Sequence, residues 1–296
     1  MAKLVSVILP TLHREPFLLA ALNDLLVQDY ASFEVLVVDQ SDQPSVSVQK
    51  LAAAHPGRIH YHHVRFRGLP LARNFAWQKA KGDILLYLDD DSRCPPQLVS
   101  EHMRSMEDQT VGVVAGGVDE ANRPEEKNPR VTGTFSYWTA TPKRGFQSHN
   151  PQDVQHVPGG NFSVRRKLIP EVGGFDEWLN QGAALYEETD FCLRVVRAGH
   201  RIVFNPKARI VHLAAATGGC REPDLDRYLH SMSRNRTMII RRYLKWYQRP
   251  LALVRLLLLN LSYVRSRRDP KALVSGLAGF KEGFSSHLQP VVTSYD

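Results

Sequence analysis

The sequence predicts an α/β fold, a mixed and mostly parallel sheet flanked by helices on both faces, followed by a helical C-terminal extension. Three observations carry this. Four apolar segments in the first 116 residues are continuous rather than alternating, as expected of strands buried on both faces. Helical patterns alternate with them, the order of a doubly wound sheet. With 296 residues and 43% hydrophobic content, the chain can bury the core of one large domain, or of one domain with an appendage.

Taken in order, LVSVILP at 4–10 reads as the first strand: its apolar run stops at Pro10, short of a secretory h-region. PFLLAALNDLLVQ follows with apolar pairs at 17/18, 21/22 and 25/26, a helical stripe. EVLVV at 34–38 is the second strand and RIHYHHV at 58–64 a weaker third. LARNFAWQKAKG is a helix stopped by Gly82; DILLYL at 83–88 and VGVVAG at 111–116 are further strands. From 116 to 160 the chain turns polar and rich in Gly, Pro and Asn, a long irregular stretch that points to function or disorder. NFSVRR, the helical EETDFCLRVVRAG and the strand patterns HRIVFNP and ARIVHL restore regularity. Beyond Pro223 the chain reads as helices to about 285, broken near Pro250 and Pro270.

Composition excludes several classes. The cysteines Cys94, Cys192 and Cys220 are odd in number and lack zinc-site spacing, so a reduced, cytoplasmic setting is expected. The longest late apolar run, LALVRLLLLNLSYV, is fourteen residues with an arginine inside, too short to span a bilayer. The net charge is +8, but residues 227–281 hold thirteen Lys or Arg against one acid, a net +12 that leaves −4 elsewhere.

The chemistry-bearing residues follow the strands, where an α/β sheet binds its ligands. LLYLDDDSRCPP runs a strand into three carboxylates. Residues two apart share a strand face, so Asp89 and Asp91 point together while Asp90 points elsewhere. Two hard oxygen donors suit Mg2+ or Mn2+, whereas without an ion the repulsion predicts a loosely held turn. Asp39 ends the second strand and, taken by itself, reads as an Asx-turn residue ahead of Ser41, Asp42 and Pro44. His60, His62 and His63 alternate across a strand, which favours structural roles. Trp178 and Tyr186, aromatics near a loop, read first as packing residues and second as faces on which a ligand could stack.

Five blocks occur in sequence: VSVILPTLHREPFLLAALNDLLVQDYASFEVLVVDQSDQ; RGLPLARNFAWQKAKGDILLYLDDDSRCPPQLV; PGGNFSVRR; GGFDE; and EETDFCLRVVRAGHRIVFNPKARIVHL. Together, over residues 3–215, they resemble the family 2 glycosyltransferases of the GT-A fold. The resemblance implies a nucleotide-diphospho-sugar donor (UDP-sugar favoured, GDP or dTDP as alternatives), a divalent cation, Mg or Mn, and inversion at the anomeric carbon. By position it puts Pro10, Thr11 and Asp39 against the nucleoside with Arg73 nearby. Asp89 and Asp90 fall on the donor side, Asp91, Asp89 and His212 at the metal, and Gly160 and Asn161 beside the donor sugar. Glu188 takes the place of the base, with Glu187 and Asp190 as alternatives. Two departures stand out: Gln40 replaces the second acid after Asp39, and Glu188 replaces an aspartate, a methylene that shifts the acceptor by about an ångström.

The resemblance divides the chain into a GT-A domain at 1–222 and a basic helical extension at 223–296. Aromatics, aliphatic runs and arginines in the extension fit a helix lying on an anionic membrane at the inner face of the cell, with packing on the domain as the alternative. The acceptor is then a glycan or lipid-linked hydroxyl; nucleic acid is not expected, since no recognisable module accompanies the charge. Two other classes remain open: a catalytically silent glycan- or nucleotide-binding subunit, and a sugar nucleotidyltransferase, against which TLHREP stands where a Gly-rich loop belongs.

Overall fold

A computed structural model describes residues 3–122 and 131–295. The elements run β1 (Val5–Thr11), α1 (Glu15–Leu26), β2 (Phe33–Asp39), α2 (Val46–Ala54), β3 (Ile59–His63), α3 (Leu69–Lys79), β4 (Ile84–Leu88), β5 (Ser92–Arg93), α4 (Leu98–Ser105) and β6 (Val111–Glu120). Then come β7 (Thr134–Ser136), β8 (Thr141–Lys143), β9 (Gln152–Val154), β10 (Asn161–Arg165), α5 (Leu168–Val172), α6 (Glu187–Arg197), β11 (Arg201–His212), α7 (Leu225–Tyr243), α8 (Arg249–Arg267) and α9 (Lys271–Ser285).

The main sheet is ordered β3-β2-β1-β4-β10-β6-β11-β5, with β9 added on β11. β1 to β4 are parallel, β10 runs against both β4 and β6, and β11 runs with β6. Every residue of β1, β2, β4 and β10 is buried, which is why these strands read as unbroken apolar runs. Leu18, Leu22, Leu25, Val48, Leu98 and Met106 cover one face of the sheet. Ala72, Ala76, Leu168, Phe191 and Val195 cover the other.

This topology gathers the carboxyl ends of β1, β2, β4, β6 and β11 on one edge, carrying Thr11, Asp39, Asp89, Glu120 and His212. Because β10 runs the other way, its starting residues, Gly160 and Asn161, reach the same edge.

Two readings need correction. HRIVFNP and ARIVHL are one strand, β11, whose pairing with β6 shifts between Asn205 and Arg209; Pro206, lacking an N–H, sits in the gap. The described part of 116–160 is not irregular: β6 continues to Glu120, β7 and β8 form a hairpin, and β9 joins the main sheet.

The C-terminal helices pack as α7 against α8 and α9. Arg234, Asn235 and Arg236 of α7 are all buried; Arg234 donates to Trp178 O, Asn235 to Leu179 O and Leu185 O, and Arg236 to Thr139 O. The last residues then return along the domain: Val291 N–H donates to Asp176, and at α3 Tyr295 N–H donates to Gln78 while its ring packs on Phe66 and Phe75. Among the described residues no helix is long and apolar enough to cross a membrane.

Candidate active site

Two cavities meet at the carboxyl edge of the sheet. The larger, about 470 Å³, is lined by Pro10, Thr11, Gln40, Asp89, Asp90 and His212, with Arg14, Arg67, Arg144 and Arg221 around them. The second, about 360 Å³, shares Asp89, His212 and Arg144 and adds Arg73, Gly160, Glu187 and Glu188. Asp39 lies beside them in a third hollow with Thr11 and Ser41. It is buried, with one carboxylate oxygen accepting from Ser41 N–H and the other from the Tyr61 hydroxyl, so it does close an Asx turn.

Asp89, Asp91 and His212 converge: one ligand atom of each lies within 4.8 Å of the others. Asp91 is 1% exposed, and its Oδ1 faces His212 Nε2 at 3.3 Å while lacking an aligned hydrogen-bond donor. His212 Nδ1 is 2.9 Å from Glu120 Oε2, which turns Nε2 toward the acids. The Asp91 contact, with Glu120 behind it, raises His212 to about 9. Burial raises Asp89. Burial pushes on Asp91 as well, but His212, Arg14 and the Ala215 N–H outweigh it and hold Asp91 lowered. Two carboxylates and an imidazole oriented by a third carboxylate, Glu120, suit Mg2+ or Mn2+ as a donor set.

The triple acid is not held loosely, contrary to the expectation from its charge. Asp90 turns away and accepts from Thr11 at 2.6 Å and Arg14 at 3.1 Å, and Arg14 also reaches Asp91 at 3.3 Å. Ala215 N–H donates to Asp91 at 2.9 Å. Burial still raises Asp90 to about 6. Asp90 therefore fastens the β4 turn to β1 and α1, although it borders the larger cavity.

Glu188 is half-buried and faces the second cavity. A Cβ added to Gly159 would lie 4.0 Å from its carboxyl carbon, and one added to Gly160 only 2.2 Å from Asp89 Oδ2. Glycine at 160 is what lets Asp89 lie against the backbone. Tyr186, just before α6, holds φ at 73°, an uncommon conformation for a bulky residue, and turns the chain into the helix.

Two expected site residues serve elsewhere, and Arg73 plays another part than expected. Arg73 borders the second cavity and not the hollow of Asp39: it is 1% exposed, ion-paired with Glu187, and donates to Gly159 O at 2.7 Å. Tyr87, Phe162 and Phe175 surround its guanidinium at 5.2–5.8 Å. Arg73 keeps its proton at any working pH, so its charge opposes the upward push of burial on Glu187. Asn161 does not reach the cavities: it is 0% exposed, its amide donates to Gly117 O and Ala208 O, and its Oδ1 meets His102 Nε2 at 2.9 Å. Asp190 is buried behind α6 with Arg194 at 3.0 Å, Arg242 at 2.9 Å and the Tyr243 hydroxyl at 2.8 Å, which removes it as a base.

His60 pairs with Glu34, His62 meets the Phe75 ring and His63 meets Ser41 O. Trp178 packs on Arg234 and His287, and Tyr186 on the C-terminal helices. Arg14, Glu120, Arg144 and Arg221 also line these cavities, and motif spacing does not point to them. HRE after the first strand was a visible sign for Arg14 alone.

Converging acids with an imidazole, arginines around them and a half-buried carboxylate at two joined cavities fit chemistry on a phosphorylated substrate. The model of glycosyl transferase family 2 matches residues 6–173. The chain belongs to glycosyl transferase family 2. This glycosyltransferase is 25% identical over 215 residues to the glucosyl-dolichyl phosphate glucuronosyltransferase of Haloferax volcanii, covering 70% of this chain and 68% of that one. Against the pre-mycofactocin glycosyltransferase of Mycobacterium tuberculosis it is 27% identical over 188 residues, 63% of this chain but only 39% of that protein. Among solved structures, GalNAc-T7 with UDP, GalNAc and Mn2+ superposes at a TM-score of 0.63, 19% identity, over 78% of this chain and 47% of that one. The mannosyltransferase PcManGT of Pyrobaculum calidifontis with GDP-Man and Mn2+ gives 0.61, 20% identity, over 97% and 76%. At these identities the superpositions establish the GT-A fold.

Proposed function

We propose that the glycosyltransferase transfers a sugar from a nucleotide-diphospho-sugar to an acceptor hydroxyl with inversion, aided by Mg2+ or Mn2+. The carrying observation is that Asp89, His212 and Glu188 line one cavity. Asp89, Asp91 and His212 would hold the cation, which when bound neutralises charge on the leaving nucleoside diphosphate. The nucleoside lies against Pro10, Thr11 and Asp39. Arg67, Arg144 and Arg221 present guanidiniums to the diphosphate, while Arg14 stays with Asp90, Asp91 and the carbonyls of Ala215, Thr217 and Gly218. Gly160 admits the sugar beside Asp89. Glu188 accepts the proton of the attacking hydroxyl, so no covalent intermediate is needed.

Arg73 and Glu187 position this machinery: their ion pair clamps the first turn of α6 onto α3 and the Gly159 carbonyl. In this reading residues 1–222 form the catalytic unit and 223–296 the basic extension that backs it. UDP is the favoured nucleotide, with GDP and dTDP as alternatives, a range supported by the UDP and GDP-Man of the solved relatives. A glycan or lipid-linked acceptor is supported by the dolichyl-phosphate relative.

The test offers UDP-, GDP- and dTDP-sugars with Mn2+ and a panel of glycan acceptors, measuring nucleoside diphosphate release and the product's anomeric configuration by NMR. Release with an inverted product is expected. Release with a retained configuration would overturn the single-base reading, and silence across the panel would favour a binding subunit.

A further inference from the structure

The helix α8 has two unlike faces. Ala252, Leu256 and Asn260, four residues apart, are buried against its neighbours. Leu251, Val254, Leu258 and Leu261, spaced three, four and three, form a stripe on another face and are 41–53% exposed. Trp246, just before the helix, is 79% exposed. Such a stripe left in water is unfavourable and marks an interaction surface.

Charge identifies the partner. α8 contains Arg249, Arg255, Arg265 and Arg267 and no acidic residue. Among the described residues Arg255, Arg265 and Arg267 form no ion pair. Pairing this face with its own copy about a two-fold axis would bring arginine against arginine. An anionic lipid surface instead satisfies both the aliphatic stripe and the arginines, and an indole beside them is suited to the headgroup level. We propose that α8 lies flat on an anionic bilayer through Leu251, Val254, Leu258 and Leu261, with its arginines among the headgroups.

The consequence reaches the active site. Leu253 of α8 packs in the same cluster as Tyr186, the residue before Glu187. A bilayer under α8 is thus separated from the helix bearing Glu188 by a layer of side chains. This deepens the proposed function, on which it rests for the acceptor: the hydroxyl arrives on a lipid-linked glycan at the bilayer surface.

The full chain is sedimented with vesicles of phosphatidylcholine, with and without phosphatidylglycerol. It should pellet with the anionic vesicles and stay in solution with the neutral ones. The pairs Leu251→Glu with Leu258→Glu, and Arg255→Glu with Arg265→Glu, should each weaken binding by about tenfold or more while thermal melting is unchanged. A wild-type chain that ignores anionic vesicles, or variants that bind them equally well, overturns the proposal. So does a dimer that the leucine variant splits without change in vesicle binding, since the face then belongs to a second copy. Failure of the catalytic reading is read separately, by titrating nucleotide with Mn2+: a chain that binds the vesicles but takes no nucleotide keeps the lipid surface and loses the acceptor assignment.

Discussion

Asp91 and Glu120 illustrate how much of the proposed chemistry rests on single atoms. Asp91→Asn keeps an acceptor for the Ala215 N–H but removes a hard anionic ligand, so Mn2+-dependent strengthening of nucleoside diphosphate binding should disappear in calorimetry. Glu120→Gln leaves the ligands in place and weakens only the hold on His212 Nδ1, so metal affinity should fall about 10–100-fold. Equal nucleotide affinity with and without Mn2+ in the wild type would remove the metal site. The convergence of Asp89 and Asp91 was expected from strand alternation, but β4 ends at Leu88 and it is the turn into β5 that brings the two carboxylates together. The partners of Asp91 were not legible: Arg14 and Ala215 stand 77 and 124 residues away in sequence, and no local pattern carries contacts of that range. Asn161 and Asp190 occupy motif positions yet serve the interior, because identity at a position does not say which side of the backbone faces the cleft.

At the scale of elements, the site is held by two buried polar clusters. In the first, Arg242 of α7 lies 2.7 Å from Asp176 and 2.9 Å from Asp190, joining the turn after α5 to α6. Arg242→Met leaves two buried carboxylates under-compensated and should cost about 3–5 kcal/mol in urea unfolding. In the second, His102 of α4 sits between Ser163 at 3.0 Å and Asn161 at 2.9 Å on β10. Burial lowers His102 to about 4 from an ordinary 6.5, so the unfolded chain takes up the proton first. This contribution to stability is complete above pH 6.5 and is lost as pH falls toward 4, about 3 kcal/mol in all. His102→Gln should flatten the slope of unfolding free energy across that window; an unchanged slope would show that the imidazole is not held neutral. The strands flanking these clusters were readable as apolar runs, since both sheet faces are covered. The short strands between Glu120 and Asn161 were not, because they pair through backbone and carry little hydrophobic pattern.

For the whole molecule, the basic helices and the acidic cleft form one construction. α7 supplies the guanidiniums and amides that fix residues 176–190, and the last residues cross back to α3, so the C-terminal third backs the catalytic turn. The charge asymmetry was evident in the sequence, but the division of labour was not. Seen linearly, thirteen cations look alike; folded, Arg234 and Arg236 are buried, the Arg242 side chain is enclosed with Asp176 and Asp190, and Arg255 and Arg265 face outward. The most direct test of the account is Glu188→Gln, assayed for Mn2+-dependent nucleotide binding and for single-turnover transfer. The account predicts unchanged nucleotide affinity with transfer reduced by about 10²–10⁴-fold; transfer near the wild-type rate would contradict it and move the base to another group in the cavity.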